Sequence, residues 1–346
     1  MSSSSLSRRG PSHGRARSSG RGPSHGRGPA HGRGPSHGAA PGTRPKRSIW
    51  QQIWIKRWCY LIILPGMAYF LLFKYVPMYG IQLAFKEFNI AEGISASPWV
   101  GWANFELLFR DREFFLALKN TLIISYMQLL LFFPFPIVLS ILINEVKPMR
   151  YKRSVQTILT FPHFLSWVIV AGIMMNILAN NGAVNNLLAT MGLEKYNFLT
   201  DKGLFRYILV FTLSWKEAGW SCILYIAAIT GIDPSLYEAA TIDGANRWHK
   251  ILHITWPGIL PVVLITLILR VGSMMDAGFD QVMNLYNNTV LDVADILDTY
   301  IYRITFQRMP NYGFSTAVGL FKGLTNCILL LSVNAVCKKI NGTTIM

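Results

Sequence analysis

Charge is scarce in this chain, and acid is scarcest. Asp and Glu number 17 among 346 residues, and 14% of residues are charged in all, where a soluble domain carries about 25%. With 51% of the residues hydrophobic, there is too little polar surface for an ordinary water-soluble domain. The four cysteines, Cys59, Cys222, Cys327 and Cys337, form no Cys-x-x-Cys pair, which leaves a zinc site and a disulfide framework without support. Gly-Lys never occurs as a dipeptide, so the phosphate loop of P-loop nucleotide hydrolases is absent and the chain is not expected to hydrolyse ATP. His249 and His253 have the i, i+4 spacing of two metal ligands on a helix, but no Glu of the HExxH type lies between them. Interface or headgroup contact suits them better than a metal. Ser, His and Asp form no arrangement that would support nucleophilic catalysis, and no apolar run of the secretory-signal kind opens the chain.

The missing acids are unevenly missing. Residues 1–49 hold ten of the 33 Lys and Arg and no Asp or Glu, so ten of the sixteen net positive charges sit there. The unit Arg-Gly-Pro-(Ser/Ala)-His-Gly begins at Arg9, Arg21, Arg27 and Arg33. With almost no large apolar side chain it cannot bury enough surface to offset its chain entropy, and a disordered tail over 1–49 is expected ahead of a membrane domain over 50–346. Such a tail could bind nucleic acid or anionic lipid through counterion release. The blander reading, a solvated and dispensable tail that helps hold the N-terminus in the cytoplasm, is preferred.

What the chain does have is long apolar runs. Six stretches are long enough to cross a ~30 Å hydrocarbon core as helices: 58–79, 118–142, 158–178, 205–229, 259–279 and 314–336. Pro134 and Pro136 should kink the second. Lys and Arg gather before span one, after span two (Lys147, Arg150, Lys152, Arg153), after span four (Arg247, Lys250) and after span six (Lys338, Lys339). These alternate loops should therefore be cytoplasmic. The expectation is an all-α polytopic membrane protein with six transmembrane helices and both termini inside. The loop 80–117, with Gly101-Trp102-Ala103-Asn104-Phe105, suits an external platform or an aromatic belt at the membrane surface.

Residues 231–258, between spans four and five, form a polar cytoplasmic loop. Asp233-Pro234 is a helix-start pair, with Asp as N-cap and Pro at the first helical position. Glu238 favours the positive end of the helix dipole, and Leu236, Ala239 and Ala240 share a face. Gly244 is a natural terminator. A second short helix should carry Trp248, Ile251 and Leu252 and end at Pro257. A docking loop and an ordinary interfacial helix pair fit these features equally.

Glu238-Ala239-Ala240, then Gly244, then Ile254 and Pro257, resembles the EAA loop of permease subunits of type I ABC importers, with Trp256 where Leu is usual. Asp243-Gly244-Ala245, Trp248, Ile254-Thr255 and Pro261 look like the carbohydrate-uptake branch, similar to maltose permease subunits. Leu64-Pro65-Gly66, Lys74-Tyr75-Val76-Pro77-Met78-Tyr79-Gly80, Phe85-Lys86, Gly101–Phe105 and Asn120-Thr121 resemble its polysaccharide and oligosaccharide permeases, alginate importers among them. The resemblance covers about residues 58–340. It implies a subunit of a bacterial inner-membrane importer that pairs with a second, homologous permease as a heterodimer. Two ATPase subunits carrying ATP and magnesium would dock on the coupling loops, and a periplasmic or extracellular solute-binding protein would deliver the saccharide. The chain itself would bind no cofactor and no metal. Coupling would fall on Glu238, Ala239, Ala240, Asp243, Gly244, Trp248, Ile254 and Pro257.

Charges inside spans are costly and face a partner or a wet cavity. Here they are Lys216, Glu217, Arg270, Asp276, Asp280 and Lys322. Trp220 shares a helix face with Lys216, and Asn326 with Lys322; Trp215, Trp220 and Tyr225 could stack on sugars. Lys216, Trp220, Tyr225, Arg270, Lys322 and Asn326 are therefore the candidate substrate pathway, whose cations would suit an anionic sugar such as a uronate oligomer. Internal ion pairing, for instance of Arg270 with Asp276 or Asp280, is the competing account of the same charges and is favoured over the cationic pathway. Three rival functions stay open: a secondary transporter driven by an ion gradient, a permease for a non-sugar solute such as a peptide, and a membrane-anchored nucleic-acid binder using the tail.

Overall fold

A computed structural model describes residues 54–146, 148–308 and 310–341, the last two of these by backbone only. The expected disordered tail lies outside the described residues. The chain divides into two units, 1–65 and 66–346. Among the described residues the structure is helical throughout, with no strand and a single bridge between Lys86 and Trp99.

The principal helices are α1 (Arg57–Phe70), α2 (Ala103–Arg110), α3 (Arg112–Met127), α4 (Pro134–Glu145), α5 (Met149–Thr160), α6 (Trp167–Leu178), α7 (Ala183–Thr190) and α8 (Phe205–Thr230). After these come α9 (Pro234–Ile242), α10 (Arg247–Lys250), α11 (Trp256–Gly272), α12 (Phe279–Leu285), α13 (Leu297–Tyr302) and α14 (Tyr312–Asn341). Among the described residues, five helical stretches are long and apolar enough to cross a membrane: Arg57–Phe85, Arg112–Glu145, Trp167–Thr190, Arg247–Gly272 and Tyr312–Lys339. The helix α8 has 26 residues, about 39 Å at 1.5 Å per residue. It is long enough as well but falls short in apolarity because it carries Arg206, Lys216 and Glu217.

Proline shapes these helices in a way the sequence did not predict. Single π-helical turns lie at Leu71–Tyr75, Gln128–Phe132 and Ile251–Thr255, each ending two residues before a proline: Pro77, Pro134 and Pro257. Proline has no N–H and its ring crowds the carbonyl four residues back. Widening the preceding turn relieves both problems, so the helical path continues. Pro257 therefore does not end a helix, contrary to expectation; it sits in the first turn of α11, which runs on into the fifth apolar stretch. The expected third span, 158–178, is interrupted: Phe161–Phe164 is a 3-10 turn around Pro162, and α6 restarts behind Ser166, whose hydroxyl accepts the Ile169 N–H at 3.3 Å. The expected fifth span also stops early, at Gly272, and Gly278 turns the chain with φ +93° before α12.

The centre of the second unit is α8, which packs on α4, α5 and α11. Phe205 and Leu209 meet Val282, Leu285 and Ile296 near one end of it, and Tyr225 and Ile229 meet Ile137, Ile259 and Val263 near the other. Between them, Gly219 lets α5 approach so closely that a Cβ there would lie 2.0 Å from the Leu159 carbonyl oxygen. These contacts fix α8 against α4 and α11 and so fix the cavity that the three helices enclose.

Candidate coupling loop and intramembrane cavity

The loop between α8 and α11 is closed at both ends by its own side chains. Asp233 accepts the Ser235 N–H at 2.9 Å, and this bond holds its carboxyl below the ordinary carboxylate value. At the other end of α9, Ala245 N–H bonds the Ala240 carbonyl (2.8 Å) and Gly244 N–H bonds that of Thr241 (3.1 Å), with Gly244 at φ +77°. This is the paired closure in which glycine supplies the left-handed residue. Asn246 caps α10 by accepting the His249 N–H at 2.9 Å. Two bonds tie α9 to the helix that follows: Tyr237 Oη to Thr255 Oγ1 at 2.9 Å, and Lys250 Nζ to Thr241 Oγ1 at 2.7 Å. Glu238, Ala239, Asp243 and Gly244 are exposed, as are Leu236, Trp248 and Pro257. Ile242 is 87% and Trp248 72% accessible, so two large apolar side chains stand out of the loop. Ala240 and Ile254 are half-buried against it. His249 and His253 stack 5.9 Å apart, each with its Nδ1 taken by a neighbouring oxygen.

The six pathway candidates separate into two places. Trp220, Tyr225 and Arg270 line one cavity of about 410 Å³, together with Glu217 and Thr266. Lys216 is the residue behind it: buried, donating to the His163 carbonyl at 2.7 Å and pairing with Glu217 Oε1 at 3.1 Å. Glu217 Oε2 meets His163 Nδ1 at 2.7 Å, and the His163 ring stacks on Trp220, centroids 4.4 Å apart and planes 4° off parallel. Tyr225 bonds Thr266 through its hydroxyl at 2.9 Å. Lys322 and Asn326 lie elsewhere, where α14 meets the turn after α11. Lys322 Nζ is held between Asp298 (2.5 Å) and Asp276, while Asn326 accepts the Met275 N–H at 2.9 Å.

Arg270 does not pair with Asp276 or Asp280, as the ion-pairing reading has it. Its Nη2 donates to Gln128 Oε1 at 2.5 Å, and among the described residues no ion pair includes it. The sequence names Glu217 among the intramembrane charges, but sequence reasoning misses Gln128, His163 and Thr266. The signal for Gln128 was present, a lone amide in an apolar run next to Pro134, but the run alone does not say what it faces.

A second polar cluster joins α3, α8 and the segment before α13. Asn120 donates to the Asp292 and Asp295 carbonyls at 3.0 and 3.1 Å and accepts from Arg206 at 2.8 Å, and Thr121 accepts the Leu297 N–H at 2.8 Å. Arg303 bridges Asp295 (2.7 Å) and Glu113 (3.1 Å). Burial pushes the Asp295 carboxyl up against the opposing pull of Thr299 and Arg303. The pair Asn120-Thr121 thus staples the chain between α12 and α13 onto α3.

Apolar helices long enough to cross a membrane, packed beside a cavity lined by Glu217, Thr266 and Arg270, have the build of a membrane permease. Residues 117–341 match the family described as binding-protein-dependent transport system inner membrane component, and the chain belongs to it. It is 46% identical over 285 residues to the polygalacturonan/rhamnogalacturonan transport system permease protein YteP of Bacillus subtilis, covering 82% of this chain and 88% of that one. It is 31% identical over 222 residues to the lactose transport system permease protein LacF of Rhizobium radiobacter, covering 63% of this chain and 74% of that one. A crystal structure of a bacterial alginate ABC transporter, in complex with an alginate pentasaccharide-bound periplasmic protein, contains a chain 40% identical with a TM-score of 0.79. That match covers 86% of this chain and 99% of the other.

Proposed function

We propose that the chain is one permease of a heterodimer in a bacterial inner-membrane ABC importer of oligo- or polysaccharide, with acidic saccharides as its cargo. Six spans cross the membrane and both ends are cytoplasmic, with α8 as the fourth. Two ATPase subunits bind ATP and magnesium and dock on the coupling loops, and a solute-binding protein delivers the saccharide from outside. The uronate-rich polymers named for the relatives support the substrate class.

The observation that carries this reading is the hydrogen-bonded frame of the loop 231–258. Its first helix is closed at both ends and bonded across to Thr255 and Lys250, which continue without a break into α11. A push on the exposed face, from Glu238 to Trp248, is passed to the fifth span as a rigid displacement instead of being absorbed as loop bending. That span carries Arg270 and Thr266 on the cavity wall, so the same displacement reshapes the cavity and alternates its access. Saccharide passes over Trp220 and Tyr225; Lys216, Lys322 and Asn326 hold the helices that flank the route.

Gly244→Val tests the lever. Nothing lies within 4 Å of a Cβ at Gly244, so the substitution acts through the left-handed backbone that a β-branched residue resists. In the reconstituted importer, ATPase stimulation by the loaded binding protein should fall several-fold while membrane insertion is unchanged. Wild-type stimulation in Gly244→Val would refute the lever role.

A further inference from the structure

We infer that Arg270 reads a carboxylate on the saccharide as it crosses the cavity, and that Gln128 is the positioning residue that aims the guanidinium. The inference deepens the saccharide-importer reading above and rests on it.

Four cations stand in the last three proposed spans, and the structure separates their roles; Arg206 is taken by Asn120 and the Val293 carbonyl, away from the cavity. Lys322 is neutralised by Asp298 and Asp276, and Lys216 by Glu217. The cavity-lining Glu217 would repel an anion if it were free, but both its oxygens are occupied, one by Lys216 and one by His163. Of the two charged residues that line the cavity, Glu217 is thus satisfied, and Arg270 has no carboxylate within ion-pair distance among the described residues. That side chain carries five N–H donors, and among the described residues the guanidinium makes one hydrogen bond, to a neutral amide oxygen. A cation so placed in a low-dielectric wall is held at a cost that a carboxylate ligand would offset. The guanidinium fork matches a carboxylate in two parallel bonds.

Gln128 is held by its surroundings. It is buried, it lies at the start of the π-turn before Pro134, and its Nε2 faces the Ala277 carbonyl at 3.4 Å, which leaves Oε1 for Arg270. Trp220 lines the same cavity, supported on one face by the parallel His163 ring. A pyranose on an aromatic wall with its ring carboxylate on Arg270 fits these groups. One charged contact on an otherwise neutral route is strong enough to select and weak enough to release.

The test uses the complete importer in proteoliposomes, with sister permease, ATPases and binding protein. The probes are trigalacturonate and its methyl ester, which has the same rings without the charge. Arg270→Gln should lower uptake of the acid per ATP hydrolysed by about ten- to a hundredfold, the range of one lost charge-assisted contact, and leave that of the ester unreduced. Arg270→Lys should fall between. Gln128→Glu should supply an internal carboxylate to Arg270 and remove the preference for the acid with the importer intact, an effect a merely structural amide would not have. Equal loss of both probes in Arg270→Gln, or an unchanged acid-to-ester ratio in Gln128→Glu, overturns the inference. If Arg270→Gln does not assemble, the ratio in Arg270→Lys decides. Failure of the wild-type importer to carry either probe would instead count against the saccharide reading itself.

Discussion

Lys322 and Arg270 show how little a charge in an apolar run says about its job. Both are cations in proposed spans, yet one is held between two carboxylates and the other donates to an amide and has no carboxylate within ion-pair distance among the described residues. That difference depends on the rotation of each helix about its axis, to which hydropathy is blind. The charges were legible in the sequence and their partners were not. Lys322→Met should therefore act on stability: it leaves Asp276 and Asp298 facing each other without their cation. The cost should be about 2–3 kcal/mol, under the roughly 3–5 of a fully buried pair because Asp276 is half exposed. Purified importer carrying Lys322→Met should lose monodispersity at a lower temperature than wild type and keep its preference between acidic and neutral saccharide. A changed preference would move the selective role from Arg270 toward α14. Gly219→Val belongs to the same scale. A Cβ at 2.0 Å from a backbone carbonyl has no rotamer by which to escape, so α5 must back away from α8, at a cost of about 1–3 kcal/mol or more. Reduced yield of folded protein in detergent is the expected outcome.

The helices themselves were partly readable. The start of α9 follows from Asp233-Pro234 and its end from Gly244, because capping chemistry is local and each signal sits within a few residues of the effect it has. The π-turns before Pro77, Pro134 and Pro257 were not readable in the same way. Proline announces a missing hydrogen bond, and whether a helix breaks, kinks or widens around it is decided by what the helix packs against. Pro162 breaks its segment where Pro257 does not. The cap of α9 gives a prediction at this scale. Because the Asp233 carboxyl is held below its ordinary value by the Ser235 N–H, the stabilisation it gives is fully present above the unfolded carboxylate range. It is lost as pH falls through the lowered folded value. Hydrogen exchange at Ser235 to Tyr237 should thus be slow at neutral pH and speed up, relative to intrinsic rates, in acid. Asp233→Ala should give the fast pattern at every pH, and Asp233→Asn, which caps without a titrating group, should remove the pH dependence. An acid-insensitive wild type would mean that α9 is held by Tyr237 and Thr255 rather than by its cap.

For the assembled importer, the unanswered contact is the one that brings in force. The chain lacks the phosphate loop that would let it generate that force, and the loop 231–258 leaves Ile242 and Trp248 largely uncovered by the rest of the chain. Two large apolar side chains at that accessibility on a polar loop are unusual unless something covers them, and a buried Trp anchor is a common centre of binding energy. A membrane headgroup layer and an ATPase groove are the two surfaces such a loop could reach, and they differ in consequence. With the ATPase as partner, Trp248→Ala removes an anchor, and tagged permease should retain its ATPase at least about tenfold less tightly, the loss expected for a hot-spot truncation of more than about 1.4 kcal/mol. The bonds from Tyr237 and Lys250 do not involve Trp248 and should persist, as should insertion, so hydrogen exchange across α9 should be unchanged. With the headgroups as partner, ATPase retention should stay at the wild-type level and membrane partitioning of the loop should weaken instead. Co-purification measured beside exchange in the same preparation separates the two, and retained ATPase in Trp248→Ala would remove Trp248 from the docking surface while leaving the rigid connection to α11 intact.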